Sequence, residues 1–99
     1  MGMNLQRLQQ QMMQELGRIQ AELEVATVEG SAGGGVVKAT VTGKQEIVSV
    51  TIDPGAVDPG DVEMLQDLIV AAINDALRSS RQVAEEKMAA VTGGMKLPF

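Results

Sequence analysis

Five of the chain's eleven glycines fall between Glu29 and Lys44, in Glu-Gly-Ser-Ala-Gly-Gly-Gly-Val-Val-Lys-Ala-Thr-Val-Thr-Gly-Lys. A glycine-rich run ending in Gly-Lys is the raw material of a phosphate cradle, so this is the first chemistry to test. A P-loop needs Gly, four residues, then Gly-Lys-Ser/Thr opening a helix. Here Lys38 stands five residues before Gly43, Gln45 follows Lys44, and the next segment alternates like a strand. The dinucleotide spacing G-x-G-x-x-G fails as well, because Gly33-x-Gly35 reaches Lys38 at its last position and no helix follows. These glycines instead read as the junction of two strands, where they permit a sharp turn, a bulge or close approach of another backbone.

The other reactive residue types are few. The chain has no Cys and no His, which excludes thiol nucleophiles and thiolate metal sites and removes the usual general base near neutral pH. Asp53, Asp58 and Asp61 are spaced like calcium ligands, but they do not match the EF-hand loop, and Pro54 and Pro59 interrupt them. Asp58 is better placed as the cap of a helix beginning at Pro59, with Asp61 and Glu63 in its first turn. No catalytic residue, metal site or cofactor is expected, and the chain does not read as an enzyme.

Charge supplies the remaining candidates. The net charge of −5 disfavours a polyanion partner, yet it is unevenly placed: residues 1–21 sum to +1, 22–77 to −8 and 78–99 to +2. Arg7 and Arg18 near one end, with Arg78, Arg81 and Lys87 near the other, are the cations that could meet phosphates. Each also has a solvated alternative, such as Arg78 paired with Asp75 or Lys87 with neighbouring acids. Lys38 and Lys44 could add a contact from the sheet, but protection of strand edges explains them equally.

These residues must be carried by a single domain of 99 residues that is 44% hydrophobic with one aromatic, Phe99. Leu5, Leu8, Met12, Leu16, Ile19 and Leu23 recur every 3.6 residues on average, so residues 1–24 read as a helix whose other faces are rich in Gln. Residues 25–52 read as three strands, with 25–29 the first. Val36–Thr42 and Glu46–Ile52 form a hairpin that sets Val37, Ala39 and Val41 on one face with Val48, Val50 and Ile52. A second helix spans 59–91, followed by a tail over 92–99. Met12, Met13, Met64 and Met88 read as packing.

The two helices would measure roughly 30 and 50 Å, whereas a compact domain of this size is only about 35 Å across. Part of the last helix should therefore project as an arm, and an aromatic-poor core leaves apolar surface for self-association. The N-terminus lacks the succession of a signal peptide, no apolar run approaches a membrane span, and Gln6 departs from the myristoylation pattern. A cytoplasmic chain without membrane contact or small-molecule substrate is expected.

Taken in order, Val28-Glu-Gly-Ser-Ala-Gly-Gly-Gly-Val-Val-Lys38, Ile52-Asp-Pro54, Glu63-Met-Leu-Gln-Asp-Leu-Ile69, Ala71-Ala72, Asn74-Asp-Ala76, Glu86-Lys-Met88 and Gly94-Met-Lys-Leu-Pro98 closely resemble the YbaB/EbfC family of bacterial nucleoid-associated proteins. The resemblance implies an α+β fold, an α-β-β-β-α protomer with a three-stranded antiparallel sheet, dimeric with projecting helical arms. It also implies binding of double-stranded DNA with low sequence specificity, in nucleoid organisation and gene regulation. The DNA surface would lie on the terminal helices, at Arg7, Arg18, Arg78, Arg81 and Lys87. Where relatives often carry lysines on the first helix, this chain has Gln, which can still donate hydrogen bonds to phosphates but releases no counterions. A reading from another class is a protein-interaction adaptor of recombination or replication that works through its acidic surface.

Overall fold

A computed structural model describes residues 5–92. Helix α1 (Leu5–Val25) leads into strands β1 (Thr27–Ala32), β2 (Val37–Thr42) and β3 (Ile47–Ile52); a 3-10 turn (Pro54–Ala56) then precedes helix α2 (Val62–Thr92). The expected α-β-β-β-α order is present, and the strands form one antiparallel sheet in the order β1-β2-β3. The tail from residue 93 onward and the first four residues lie outside the described region.

Several boundaries and one register differ from expectation. The first helix continues through Val25, because the amide of Ala26 still donates to the carbonyl of Glu22 at 2.8 Å. The first strand therefore occupies 27–32 rather than 25–29 and includes Gly30, a poor strand former held by pairing with Ala39. In the β2–β3 pair the register shifts between Thr40 and Val41, so Ile47, not Val48, stands opposite Val41. This bulge replaces the strict alternation predicted for the hairpin.

The second helix begins at Val62, three residues later than expected. Asp58 accepts from the amide of Gly60 at 2.8 Å and builds a turn, while Asp61 accepts from the amide of Met64 at 3.2 Å and caps the helix. A side chain four residues before the helix reaches only the amides of its own turn, and the residue three before Met64 is the one in capping geometry. Asp53 likewise accepts from Gly55 at 2.9 Å. The carboxylates that could have held calcium are thus engaged by backbone amides.

Helix α2 lies across β1 and β2. Val37, Ala39 and Val41 are fully buried against Ala72 and Ala76, with Leu65, Leu68, Ile69, Ile73 and Leu77 closing around them. Ala72, Ala76 and Ser80 recur every four residues, which lays a stripe of small side chains along the helix and lets its backbone settle onto the sheet. Gly30 completes this close approach: a Cβ added there would sit 2.2 Å from the amide nitrogen of Ala76 and 2.6 Å from the carbonyl oxygen of Ala72. Ser80 is fully buried and its hydroxyl donates to the carbonyl of Thr42 at 2.7 Å, tying α2 to the end of β2.

The remaining glycines between Glu29 and Lys44 also have structural employment. Gly33, Gly34 and Gly35 take φ of 63°, 75° and 98°, a run of left-handed backbone that only glycine adopts without strain, and they reverse β1 into β2. Gly43 sits under the last turn of α1, where an added Cβ would meet Leu23 Cδ2 at 2.7 Å and its carbonyl at 2.9 Å. Gly43 also donates to the carbonyl of Ala26 at 3.0 Å.

The molecule is long. Its Cα radius of gyration is 19.2 Å and its extents are 72 × 26 × 16 Å, whereas a compact domain of this length has a radius near ~13 Å. Ile19 and Leu23 of α1 are buried, but the same stripe is open farther out, with Leu8 56% and Leu5 67% exposed. Helix α1 and the C-terminal half of α2 meet at the hairpin end of the sheet and form the projecting arm.

Candidate nucleic-acid interface

The arm carries the cations picked out from the sequence, and the structure divides them into two groups. Arg7 lies in the outer part of α1 and is exposed, with no ion pair among the described residues. Arg78 and Arg81 stand three residues apart on α2, both exposed and likewise without an ion pair among the described residues. Residues at this spacing lie on one helix face. The anticipated Arg78–Asp75 pair does not form, because Asp75 instead accepts from the backbone amide of Ser31 at 3.0 Å and anchors α2 to β1.

Arg81 borders an open hollow at the tip of the β2–β3 hairpin, lined by Gly43, Lys44, Gln45, Ala84 and Glu85. The tip is held by Thr42, whose hydroxyl accepts from the amides of Lys44 and Glu46, each at 3.2 Å. Gln45 there takes a left-handed φ of 65°. The ammonium of Lys44 lies 3.0 Å from Glu24 at the end of α1. Gly43-Lys44 is therefore a hairpin tip whose lysine bridges to a helix.

Arg18 and Lys87 belong to the second group. Arg18 is gripped from both sides on its own helix, by Glu15 at 2.6 Å and Glu22 at 2.8 Å. The hydrogen bond and charge of Glu15, followed by the charge of Glu22, raise its pKa above the ordinary arginine value. Lys87 reaches from α2 to the other oxygen of Glu22 at 3.3 Å, rather than to Glu85 or Glu86 beside it in sequence. One carboxylate thus serves two cations from two helices. The Glu15-Arg18-Glu22 ladder was legible as i,i+3 and i,i+4 spacing, but the link to Lys87 depends on how the helices meet.

Among the described residues no cluster of His, Cys, Asp or Glu has the arrangement of a metal site, and no helix is long and apolar enough to cross a membrane. What the arm offers is a set of guanidinium groups on exposed helix faces, with the half-buried ammonium of Lys87 tied to Glu22 beside them. Such groups suit phosphate oxygens, which they contact without reading bases.

Known proteins of the same kind are recognisable over nearly the whole chain. It resembles a nucleoid-associated protein of Moorella thermoacetica, 53% identical over 102 residues, covering 99% of this chain and 98% of that one. It also resembles a nucleoid-associated protein of Chloroflexus aurantiacus, 50% identical over 92 residues, covering 93% of this chain and 92% of that one. Among solved structures, the uncharacterized protein HP0035 of Helicobacter pylori superposes with a TM-score of 0.77 over 95% of this chain and 99% of its own, at 23% identity, which speaks to the fold. The model of the YbaB/EbfC DNA-binding family matches residues 1–95, and the chain belongs to that family.

Proposed function

We propose that this protein is a nucleoid-associated DNA-binding protein that acts as a homodimer in the bacterial cytoplasm and grips the backbone of double-stranded DNA with its helical arms. The observation that carries this reading is the pair of exposed guanidinium groups of Arg78 and Arg81 on the arm, neither in an ion pair among the described residues, with Arg7 on the outer turns of α1. Arginine in this setting binds phosphate with little regard for sequence, which supports low sequence specificity and a role in organising the nucleoid, with effects on transcription following from occupancy. Family membership supports the same reading and points away from an enzyme.

The case for a dimer rests on surface that one chain leaves open. Helix α2 stops short of β3, so Ile47, Val48 and Val50 are 51%, 59% and 37% exposed although Ile47 and Val50 continue the face of the buried core. An edge strand with apolar side chains and free backbone groups is a template for another chain. A second copy placed on β3 would cover it and bring two arms to one duplex.

The acidic stretch keeps the adaptor reading alive on one observation. Asp53, Asp58, Asp61, Glu63 and Asp67 are all exposed and no cation interrupts them in sequence. The two readings separate in a gel-shift titration at several salt concentrations. Replacing Arg78 and Arg81 together with Gln is expected to weaken binding to unrelated duplexes equally and to lower the slope of log K against log salt by about 0.9 for each phosphate no longer neutralised. Unchanged affinity and slope would leave the arms as solvated faces and favour the adaptor.

A further inference from the structure

The number of cations on the arm overstates the charge it can present, and Glu22 is the one carboxylate among the described residues that engages two of them. Glu22 holds Arg18 with one oxygen at 2.8 Å and Lys87 with the other at 3.3 Å. It stands where α1 and α2 meet, on a half-buried position of α1, with its side chain 41% exposed and that of Lys87 only 35%. Lys87 has no other ion-pair partner among the described residues. We propose that Glu22 is a carboxylate clamp that competes with DNA phosphate for Lys87 and Arg18, and so sets the affinity and salt sensitivity of the arm. This inference rests on the reading of the arm as the DNA surface and adds to it the residue that limits binding.

A phosphate approaching Lys87 must displace Glu22, and one approaching Arg18 must displace Glu15 and Glu22 in turn. In either case an ion pair already made is exchanged for another, so the gain is smaller than at Arg78 or Arg81, where the cation is open. Removing the charge of Glu22 frees Lys87 outright and leaves Arg18 with Glu15 alone. An exposed ion pair corresponds to a factor of about 1.5 to 5 in an equilibrium. Breaking both at once is then expected to tighten DNA binding by about 2- to 25-fold. The salt slope should steepen by about 0.9 for each cation newly placed on a phosphate.

Replacing Glu22 with Gln also adds one unit of positive charge to the whole chain, so the clamp needs a test that general electrostatics cannot imitate. Glu63→Gln makes the same change in net charge at the far end of α2, on an exposed residue without an ion pair among the described residues. Affinity for a duplex of about 30 base pairs, long enough to span several phosphates per arm, is measured across a salt series for the unmodified protein, E22Q, E63Q, the double variant R18Q/K87Q, and R18Q/K87Q carrying E22Q. The clamp requires E22Q to tighten binding and steepen the slope well beyond E63Q, and requires that gain to vanish in the R18Q/K87Q background. Equal gains from E22Q and E63Q, or a gain that survives without Arg18 and Lys87, overturn it. R78Q/R81Q in the same series keeps the two ideas apart. If that variant weakens binding while E22Q does nothing, the clamp alone is wrong; if neither responds, the arm is not the DNA surface. A thermal melt of each variant checks that the fold is retained.

Discussion

Replacing Gly30 with Ala is the most demanding test of how α2 is seated. The added Cβ would lie 2.2 Å from the nitrogen of Ala76, 2.6 Å from the oxygen of Ala72 and 2.7 Å from the Cα of Ala76. Every obstacle is helix backbone, which cannot rotate away as a side chain can. Unstrained heavy atoms sit about 3.5–4.0 Å apart, so the helix must retreat by more than about 1 Å. The retreat loosens the packing of Ala72 and Ala76 on Val37, Ala39 and Val41. It also lengthens the hydrogen bonds of Ser31 to Asp75 and of Ser80 to Thr42, now 3.0 and 2.7 Å. Overpacking of this kind costs about 1–3 kcal/mol, and for a domain of this size each kcal/mol moves Tm by roughly 4–8 °C. A fall of about 5–20 °C in a calorimetric melt is expected. Two companions sharpen the result. Ala76→Gly does not rescue Gly30→Ala, because the blocking atoms are backbone. Gly34→Ala, in open space but at φ 75°, costs only the left-handed strain of about 1–2 kcal/mol. A Gly30→Ala protein melting within about 2 °C of the parent, less than half of what ~1 kcal/mol produces, would refute the close seating of α2 on β1.

Three further outcomes are expected. Sedimentation at micromolar concentration gives a dimer, and Val50→Lys on β3 lowers its stability; a well-folded monomer of 10.4 kDa would remove the case for pairing through β3. Calorimetry with ATP and magnesium shows no saturable binding, because Gly43-Lys44 is a hairpin tip whose ammonium already meets Glu24 at 3.0 Å. Ser80→Ala removes the 2.7 Å hydroxyl donor to the Thr42 carbonyl, which still accepts from the Gln45 amide at 3.0 Å, and the melt falls by the equivalent of about 0.5–1.5 kcal/mol.

Periodicity alone was enough to place both helices and the β2–β3 hairpin, because a 3.6-residue stripe and a two-residue alternation are properties of the chain itself. Where the structure departed from that reading, a tertiary contact or a local hydrogen bond had won. Gly30-Ser31-Ala32 is an unpromising strand by composition, yet it pairs with β2 because only a residue without a side chain fits under Ala72 and Ala76. Asp58 was the expected cap, but that role fell to Asp61, expected in the first turn, because its carboxylate reaches a helical amide, that of Met64. The bulge at Thr40 and Val41 left no mark in an alternation that looked regular.

The interface shows the same limit in electrostatic form. A sequence reports which residues are charged, but binding depends on which charges are open, and that is settled between elements distant in the chain. Glu22 and Lys87 are 65 residues apart and meet because Leu23 packs closely against Gly43 and Ser80 fastens α2 beside it. The same packing leaves Arg78 and Arg81 facing solvent and takes Asp75 away from Arg78 to anchor β1. The residues that seat the helices therefore also decide the charge the arm can show. Gly43→Ala, which adds no charge to the hollow that Gly43 shares with Arg81, should shift α1 relative to α2, lengthen the Glu22–Lys87 pair, and change the salt dependence of DNA binding along with the melting temperature. A variant that lowers Tm but leaves the salt slope untouched would separate the seating of the helices from the exposure of their charges.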